Sequence, residues 1–377
     1  MVYYPPKEKF DIEKIVNQDI DVKEGVISKL KKSRRKKTYA VFCTLLFAVV
    51  ISGGYMANKA SLTFDKMTGE QNSVLKSIIR MLPIGSKFFQ ILPVEGEDYS
   101  AMERVKENKL ERLNVLLLGI RGVDDPNGGL LTDTMMVASV ELKTGNVALI
   151  SIPRDLYVKM PNHETSRKIN EAYVLGMEDT KSWKGGLDYA KKTVSEVTGL
   201  DVHYAASVDF RAFKEIIDTM GGVTITLSQP FSELNQFEEG PISLPAGKQT
   251  INGDTALLFV RARFSSNDFD RAKRQQQVLM AVKEKALGLG VLSNPLKIVS
   301  ILDTLGNDVR VDAQLWEIQE MAVLAQRLDS TKIKHKIFDT TSGGLLYAAR
   351  DQNGAYILLP DGGDFGKIRE EIKNLFN

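Results

Sequence analysis

One cysteine and three histidines stand among 377 residues, and the net charge is only +2. The lone Cys43 excludes an intramolecular disulfide and a cysteine-based zinc site. His163, His203 and His335 are scattered without metal-ligand spacing, so ordinary surface or packed histidines are the better reading than a histidine-centred catalytic site. The small net charge conceals an asymmetry. Residues 1–37 hold eleven Lys and Arg against six Asp and Glu, a net of +5, which leaves −3 for residues 38–377. A folded part without basic excess argues against a general nucleic-acid binder. With 43% apolar and 26% charged residues the chain has globular values and can sustain a sizeable core.

Charge is missing altogether from one stretch. Tyr39 to Ala57 runs nineteen residues without a charged side chain, close to the ~20 needed to cross a bilayer as a helix. The basic run from Lys29 to Lys37 precedes it, and only Lys59 and Lys66 follow nearby. The positive-inside rule then predicts a single anchor over 38–57, with residues 1–37 as a cytoplasmic tail and the remainder outside the membrane. A cleavable signal peptide is the rival, given the small Gly53, Gly54 and Ala57. The long charged extension before the span argues against it.

Residues 58–111 read as a spacer, with a charged exposed helix over Glu103–Arg112 leading into a domain at 112–377. Asn114-Val-Leu-Leu-Leu-Gly-Ile120 is a continuous apolar run, the pattern of a strand buried on both faces. Met135–Leu142 and Asn146–Ile152 read as two further strands joined by a tight turn. Helices are expected over Ile169–Met177, Leu187–Val197 and Phe210–Met220, with strands at Tyr204–Val208 and Val223–Leu227. Residues 228–250 read as a long loop. Asn252 opens a short helix, a strand through Val260 being the alternative, and Asp270–Leu287 is the clearest helix. Beyond 290, helices are expected at Pro295–Leu302, Ala313–Leu328 and Phe365–Phe376, and strands near Lys332–Phe338 and Tyr356–Leu359. Mixed signals throughout imply one α/β domain, a central sheet covered by helices.

Chemistry concentrates in Phe259–Gln277, where Arg261, Arg263, Arg271, Lys273 and Arg274 lie within fourteen positions. Guanidinium forks at this density suit a multiply charged oxyanion such as pyrophosphate; a solvated charged helix face is the bland alternative. Arg271, Arg274, Gln275 and Val278 fall at i, i+3, i+4 and i+7 and share a face, and Val278, Leu279, Val282 and Ala286 continue an apolar stripe. One helix thus offers anion-binding groups at its start and an apolar surface further on, which fits an amphiphile with a phosphate head. Asp133 stands just before a buried strand, Arg154 and Asp155 follow another, and Lys168 precedes a helix. Each of these alone is also an ordinary turn, ion-pair or capping residue.

The blocks NVLLLG, TDTMM, SIPRD, KIN, VDF…GGV, NG…ALLFVRAR and DFDRAKRQQQ occur in this order over roughly residues 112–290. With the N-terminal anchor, they resemble the LytR–CpsA–Psr family of bacterial cell-envelope proteins. The resemblance implies an α/β/α sandwich with a central mixed sheet that binds a polyprenyl-pyrophosphate carrier, its tail in an apolar tunnel. It implies transfer of a glycopolymer phosphate from that carrier to peptidoglycan with Mg²⁺ at the pyrophosphate, and a possible pyrophosphatase side activity. Asp133 would be a metal-ligand or catalytic aspartate. Arg154, Lys168, Arg261, Arg263, Arg271 and Gln275 would bind the pyrophosphate, with Arg154, Arg263 and Arg271 also catalytic. Asp268 or Asp270 could accept the acceptor's proton or simply cap the helix. The chain departs from the family after the first strand. Arg121 stands where an Asp is usual, and Leu131 where an Arg is. Asp124 or Asp125 would then replace the missing carboxylate as metal ligand, and Arg121 the missing guanidinium. The alternatives to a phosphotransferase are a lipid- or glycan-binding envelope protein without catalysis, and an envelope-related regulator.

Overall fold

The computed structural model describes residues 101–106, 109–122, 129–234, 240–291, 301, 305, 308–329 and 332–376. The tail at 1–37, the anchor at 38–57, most of the spacer, the helix at Pro295–Leu302 (all but residue 301) and Asp124 and Asp125 lie outside these residues. Among the described residues no helix is long and apolar enough to cross a membrane.

At the centre is a six-stranded mixed sheet. Strands β1 (Arg112–Gly119), β2 (Thr134–Glu141) and β3 (Val147–Ser151) form an antiparallel meander. The tight turn between β2 and β3 is made by Gly145 at φ 73°, whose N–H donates to the Glu141 carbonyl at 2.8 Å. A left-handed φ of this kind favours glycine. β6 (Tyr204–Val208) runs parallel to β1, β11 (Val309–Val311) closes that edge antiparallel to β6, and β12 (Ile333–Ile337) lies parallel to β3.

Alternation along the strands assigns each face its partners. Leu116, Leu118, Met135, Val137 and Ile150 pack against α2 (Ala172–Thr180), α3 (Trp183–Thr198) and α8 (Gly366–Lys373) in one core cluster. The opposite face, with Leu117 beside Met136, looks toward α4 (Phe210–Thr219) and α6 (Asp268–Gly288). Leu116 is fully buried, so Leu116→Ala should cost about 2–5 kcal/mol through lost contacts and the cavity left behind.

Local chemistry sets the ends of these helices. Ser182, Asp209, Asn252 and Asn267 cap α3, α4, α5 (Gly253–Arg261) and α6, each side chain accepting a backbone N–H of the first turn. Neither Asp268 nor Asp270 is therefore the cap of α6, which begins two residues earlier than its apolar spacing predicts. The region 252–261 is the helix, not the alternative strand.

Short strands account for most of the remaining differences. The expected loop over 228–250 holds β8 (Phe231–Glu233), β9 (Ile242–Leu244) and β10 (Gly247–Ile251), the last paired with β7 (Val223–Leu227). β4 (Tyr157–Lys159) and β5 (Ser166–Lys168) form another small hairpin, so Lys168 ends a strand and a 3₁₀ turn, Ile169–Glu171, leads into α2. β13 (Leu346–Arg350) and β14 (Tyr356–Pro360) make a third. The helix expected at Glu103–Arg112 is instead α1 (Ala101–Lys106), and β1 already begins at Arg112. Its Ala101 and Met102 are buried, and the Met102 N–H donates to the Tyr204 hydroxyl at 3.0 Å, which fixes it to the domain. α7 (Leu315–Arg327) packs Trp316 into the same cluster.

Candidate functional site: a cationic chamber opening onto an apolar cavity

Asp133 sits one residue before β2, at the mouth of the sheet. Gly119 of β1 lies opposite Thr134, where an added Cβ would meet the Thr134 side chain at 2.9 Å, so the two strand ends approach closely. Arg154 follows β3 through Pro153, and its guanidinium donates to Oδ1 of Asp133 at 2.5 Å. Nε of Arg121, just beyond β1, stands 3.6 Å from Oδ2 of the same carboxylate. Arg271, in the first turn of α6, donates to the Asp133 carbonyl at 3.1 Å and to the Asp268 carboxylate at 3.0 Å. Asp268 in turn lies 3.8 Å from Nε of Arg154. Lys168 stands one ion pair back, 2.6 Å from Asp155, whose other oxygen is 3.6 Å from Arg154.

The loop 262–267 between α5 and α6 places the remaining arginines. Buried Glu233 accepts the Ser265 N–H at 3.0 Å and its hydroxyl at 2.8 Å. Arg274 donates to the Phe259 carbonyl at 3.0 Å, to the Ala262 carbonyl and to the Ser266 hydroxyl at 3.1 Å. It thereby satisfies the carbonyls left open at the end of α5. Arg274, expected on one face with Arg271 and Gln275, is thus turned aside into structural work. Arg261 stacks on Phe210 with its guanidinium carbon 4.5 Å from the ring centre. Asp270 pairs with Lys273 at 2.9 Å and lines neither chamber described below.

Among the described residues, a chamber of about 410 Å³ around these groups is lined by Arg121, Arg154, Arg261, Arg263 and Arg271 with Asp133 as the one carboxylate. Its walls carry four more positive than negative charges. Thr134, Phe210, Val260 and Gln275 line this chamber and also a second cavity of about 930 Å³. That cavity runs between the sheet (Leu117, Met136) and α4 and α6 (Phe213, Ile217, Val278, Val282). Among the described residues Asp209 is its only ionisable lining residue, and burial raises that carboxyl's pKa above its usual 3.8. Two guanidiniums differ in how well they are compensated. Burial lowers the Arg154 pKa, but Asp133, Asp268 and Asp155 outweigh it and the net shift is upward. Arg271 is 6% exposed, and its pKa is lowered, first by burial and then by Arg154 and Arg263, against Asp268 and Asp133. Its buried Nε has no hydrogen-bond partner. An arginine stays protonated even so, and Arg271 is therefore a buried cation short of negative charge.

The structure brings together Asp133, Arg154, Arg261, Arg263, Arg271 and Gln275 as expected, with Lys168 behind them. Thr134, Asp209, Phe210 and Phe213 line the chambers without having been singled out. The amphipathic spacing of Phe210, Phe213 and Ile217 along α4 was the available signal. Asp124 and Asp125, expected to help hold Mg²⁺, lie outside the described residues, and the described residues alone fit the ion poorly. No group of three His, Cys, Asp or Glu among the described residues could hold a metal, and Asp133 is already engaged by guanidiniums through both oxygens.

Chemically the arrangement can hold an anionic head in the first chamber and a hydrocarbon chain in the second. A mixed sheet between helical layers, with a cationic chamber adjoining an apolar cavity, defines the protein as an α/β sandwich with a two-part site. The chain belongs to the LytR_cpsA_psr family, whose profile matches residues 93–374.

Among relatives, it is 36% identical over 214 residues to the polyisoprenyl-teichoic acid–peptidoglycan teichoic acid transferase TagU of Oceanobacillus iheyensis, covering 56% of this chain and 62% of that protein. It is 27% identical over 331 residues to the corresponding transferase TagT of Bacillus subtilis, covering 85% of this chain and 92% of that protein. The first two relatives are matched over 62% and 64% of their length. The crystal structure of B. subtilis TagV superposes with a TM-score of 0.54 at 25% identity over 70% of this chain and 96% of that one. TagT bound to LIIa-WTA shares the fold, with a TM-score of 0.53 at 23% identity over 75% of this chain and 94% of that one.

Proposed function

We propose that the protein transfers a phosphoglycan from a polyprenyl-pyrophosphate carrier to peptidoglycan. The observation that carries this reading is the junction of the chambers. Among the described residues five guanidiniums around one carboxylate open onto an apolar cavity through shared walls, as a lipid diphosphate requires. The relatives' names, which specify polyisoprenyl-teichoic acid and peptidoglycan, support the same substrate classes.

In this reading Arg263 and Arg271 bind the diphosphate, Arg261 and Gln275 close its side, and Lys168 acts through Asp155. Asp133 orients Arg154 toward the phosphates. The acceptor hydroxyl attacks the phosphorus next to the glycan, and a new P–O bond forms as the bond to the polyprenyl phosphate breaks. The hydroxyl proton passes to Asp268, which lines an adjoining recess that shares Asp133, Arg154 and Arg271 with the chamber. Polyprenyl monophosphate leaves with its charge neutralised by the arginines, the main contribution a protein makes to such a transfer. Val278, Leu279 and Val282 hold the chain. The uncharged Tyr39–Ala57 stretch behind its basic run supports an anchor in the bacterial cell membrane, with the domain outside, where peptidoglycan lies.

The test is release of labelled polyprenyl phosphate by the detergent-solubilised chain, given a lipid-linked glycan and peptidoglycan. Release should depend on both substrates and be lost in Asp133→Ala and Arg263→Ala. Unchanged release in these two variants would remove the assignment.

A further inference from the structure

Each acceptor atom of Asp133 has an arginine beside it. Oδ1 accepts from Arg154 at 2.5 Å, Oδ2 faces Arg121 at 3.6 Å, and the backbone carbonyl accepts from Arg271 at 3.1 Å. A magnesium ion would need a carboxylate oxygen at about 2.1 Å. On either oxygen it would then stand against a guanidinium already in place, cation against cation. No second carboxylate lines this chamber among the described residues.

Arg121 is held by the sheet. The Ile120 N–H donates to the Val208 carbonyl at 3.0 Å, and the Arg121 carbonyl accepts from the Phe210 N–H at 3.5 Å. Beyond it Gly122 pairs with Gly129 in an antiparallel bridge that closes the stem of the loop. A Cβ on Gly122 would lie 3.0 Å from the Asp209 carboxylate, so this stem is packed against α4. The guanidinium thus extends from a fixed backbone position into the chamber that Arg263 and Arg271 also line.

We propose that Arg121 performs in this chain the charge neutralisation that a divalent cation would otherwise supply, so that the diphosphate is bound by guanidiniums without Mg²⁺. The proposal rests on the reading of the chamber as a diphosphate site. A planar fork can give two parallel hydrogen bonds to a phosphate, and unlike a metal it needs no second carboxylate to retain it.

Isothermal titration of the detergent-solubilised full chain with inorganic pyrophosphate and with farnesyl diphosphate, in EDTA and in Mg²⁺, tests this. The dissociation constants should agree within about twofold between the buffers. Arg121→Ala should weaken binding in EDTA at least tenfold, Arg121→Lys should retain most of it, and Arg121→Asp should bind only when Mg²⁺ is present. Wild-type binding that vanishes in EDTA and returns with Mg²⁺ overturns the proposal but leaves the diphosphate site standing. If Asp124→Asn with Asp125→Asn then abolishes the Mg²⁺-dependent binding, the neighbouring loop supplies a metal and the proposal likewise falls. Absence of binding in both buffers sinks the diphosphate reading itself.

Discussion

Among the described residues, five arginines share one carboxylate in the polar chamber, whereas the adjoining cavity has Asp209 as its only ionisable lining residue. The first is assembled from loop and strand ends: the exits of β1 and β3, the residue before β2 and the connection between α5 and α6. The second is walled by the adjoining ends of β1 and β2, by one face of α4 along its length and by the middle of α6. Fixed charges can be placed one by one on strand and helix ends, where backbone groups are available to hold them. A slot for a hydrocarbon needs only two apolar faces kept slightly apart.

Four experiments would break or sharpen this contrast. The largest effect is expected in the polar chamber, where Arg263→Ala and Arg271→Ala should each lower glycan transfer by roughly 10²- to 10³-fold. Retained rates, measured by polyprenyl phosphate release, would mean the guanidiniums are not aimed at the transferring group. Arg274, three residues from Arg271 on the same helix, should behave in the opposite way. Arg274→Ala leaves the Phe259 and Ala262 carbonyls without their donor, at a cost of about 1–3 kcal/mol for each buried group. Arg271→Met removes an under-compensated buried cation and should change stability by less than about 1 kcal/mol. Equal urea-unfolding midpoints for the two variants would erase the distinction between binding and structural arginines.

In the apolar cavity, Val282→Trp should displace about two methylenes of a long chain, worth roughly 1.6 kcal/mol or over tenfold in affinity. Farnesyl diphosphate should bind that variant unchanged. Equal loss for both lipids would show that Val282 lies near the head. The smallest effect concerns Asp209. A carboxyl whose folded pKa is raised contributes stability below its unfolded value, and this is lost as pH rises through the folded value. Asn still caps α4, so Asp209→Asn should gain on the wild type by less than about 1 kcal/mol between pH 3 and pH 7, the half-exposed site being screened. A pH-independent difference would show that the carboxyl is not desolvated by the cavity.

Much of the architecture was legible because it is locally encoded. β6 falls on the short strand expected at Tyr204–Val208, β7 on Val223–Leu227 as its β-branched alternation predicts, and β1 follows its apolar run. The three-residue strands β4, β5, β8 and β9 escaped because a segment that short carries no period, and tertiary pairing decides it. The arginines of the site were legible from their density. Their division of labour was not: position on a helix gives Arg274 the same face as Arg271, while the open carbonyls that claim it belong to another helix. The cavity was half legible. The stripe Val278–Leu279–Val282 was read, but an apolar stripe reads the same whether its neighbour touches it or stands off. Only the distance between α4, α6 and the sheet makes it a cavity.

Helix α6 runs unbroken from Asp268 to Gly288 with Arg271 at one chamber and Val282 in the other. Eleven residues at 1.5 Å each separate them by about 16 Å along a rigid axis. The helix is therefore a ruler. It grades ligands by where their oily part begins relative to the phosphates, so a head separated from its tail by a long polar spacer would miss one graduation or the other.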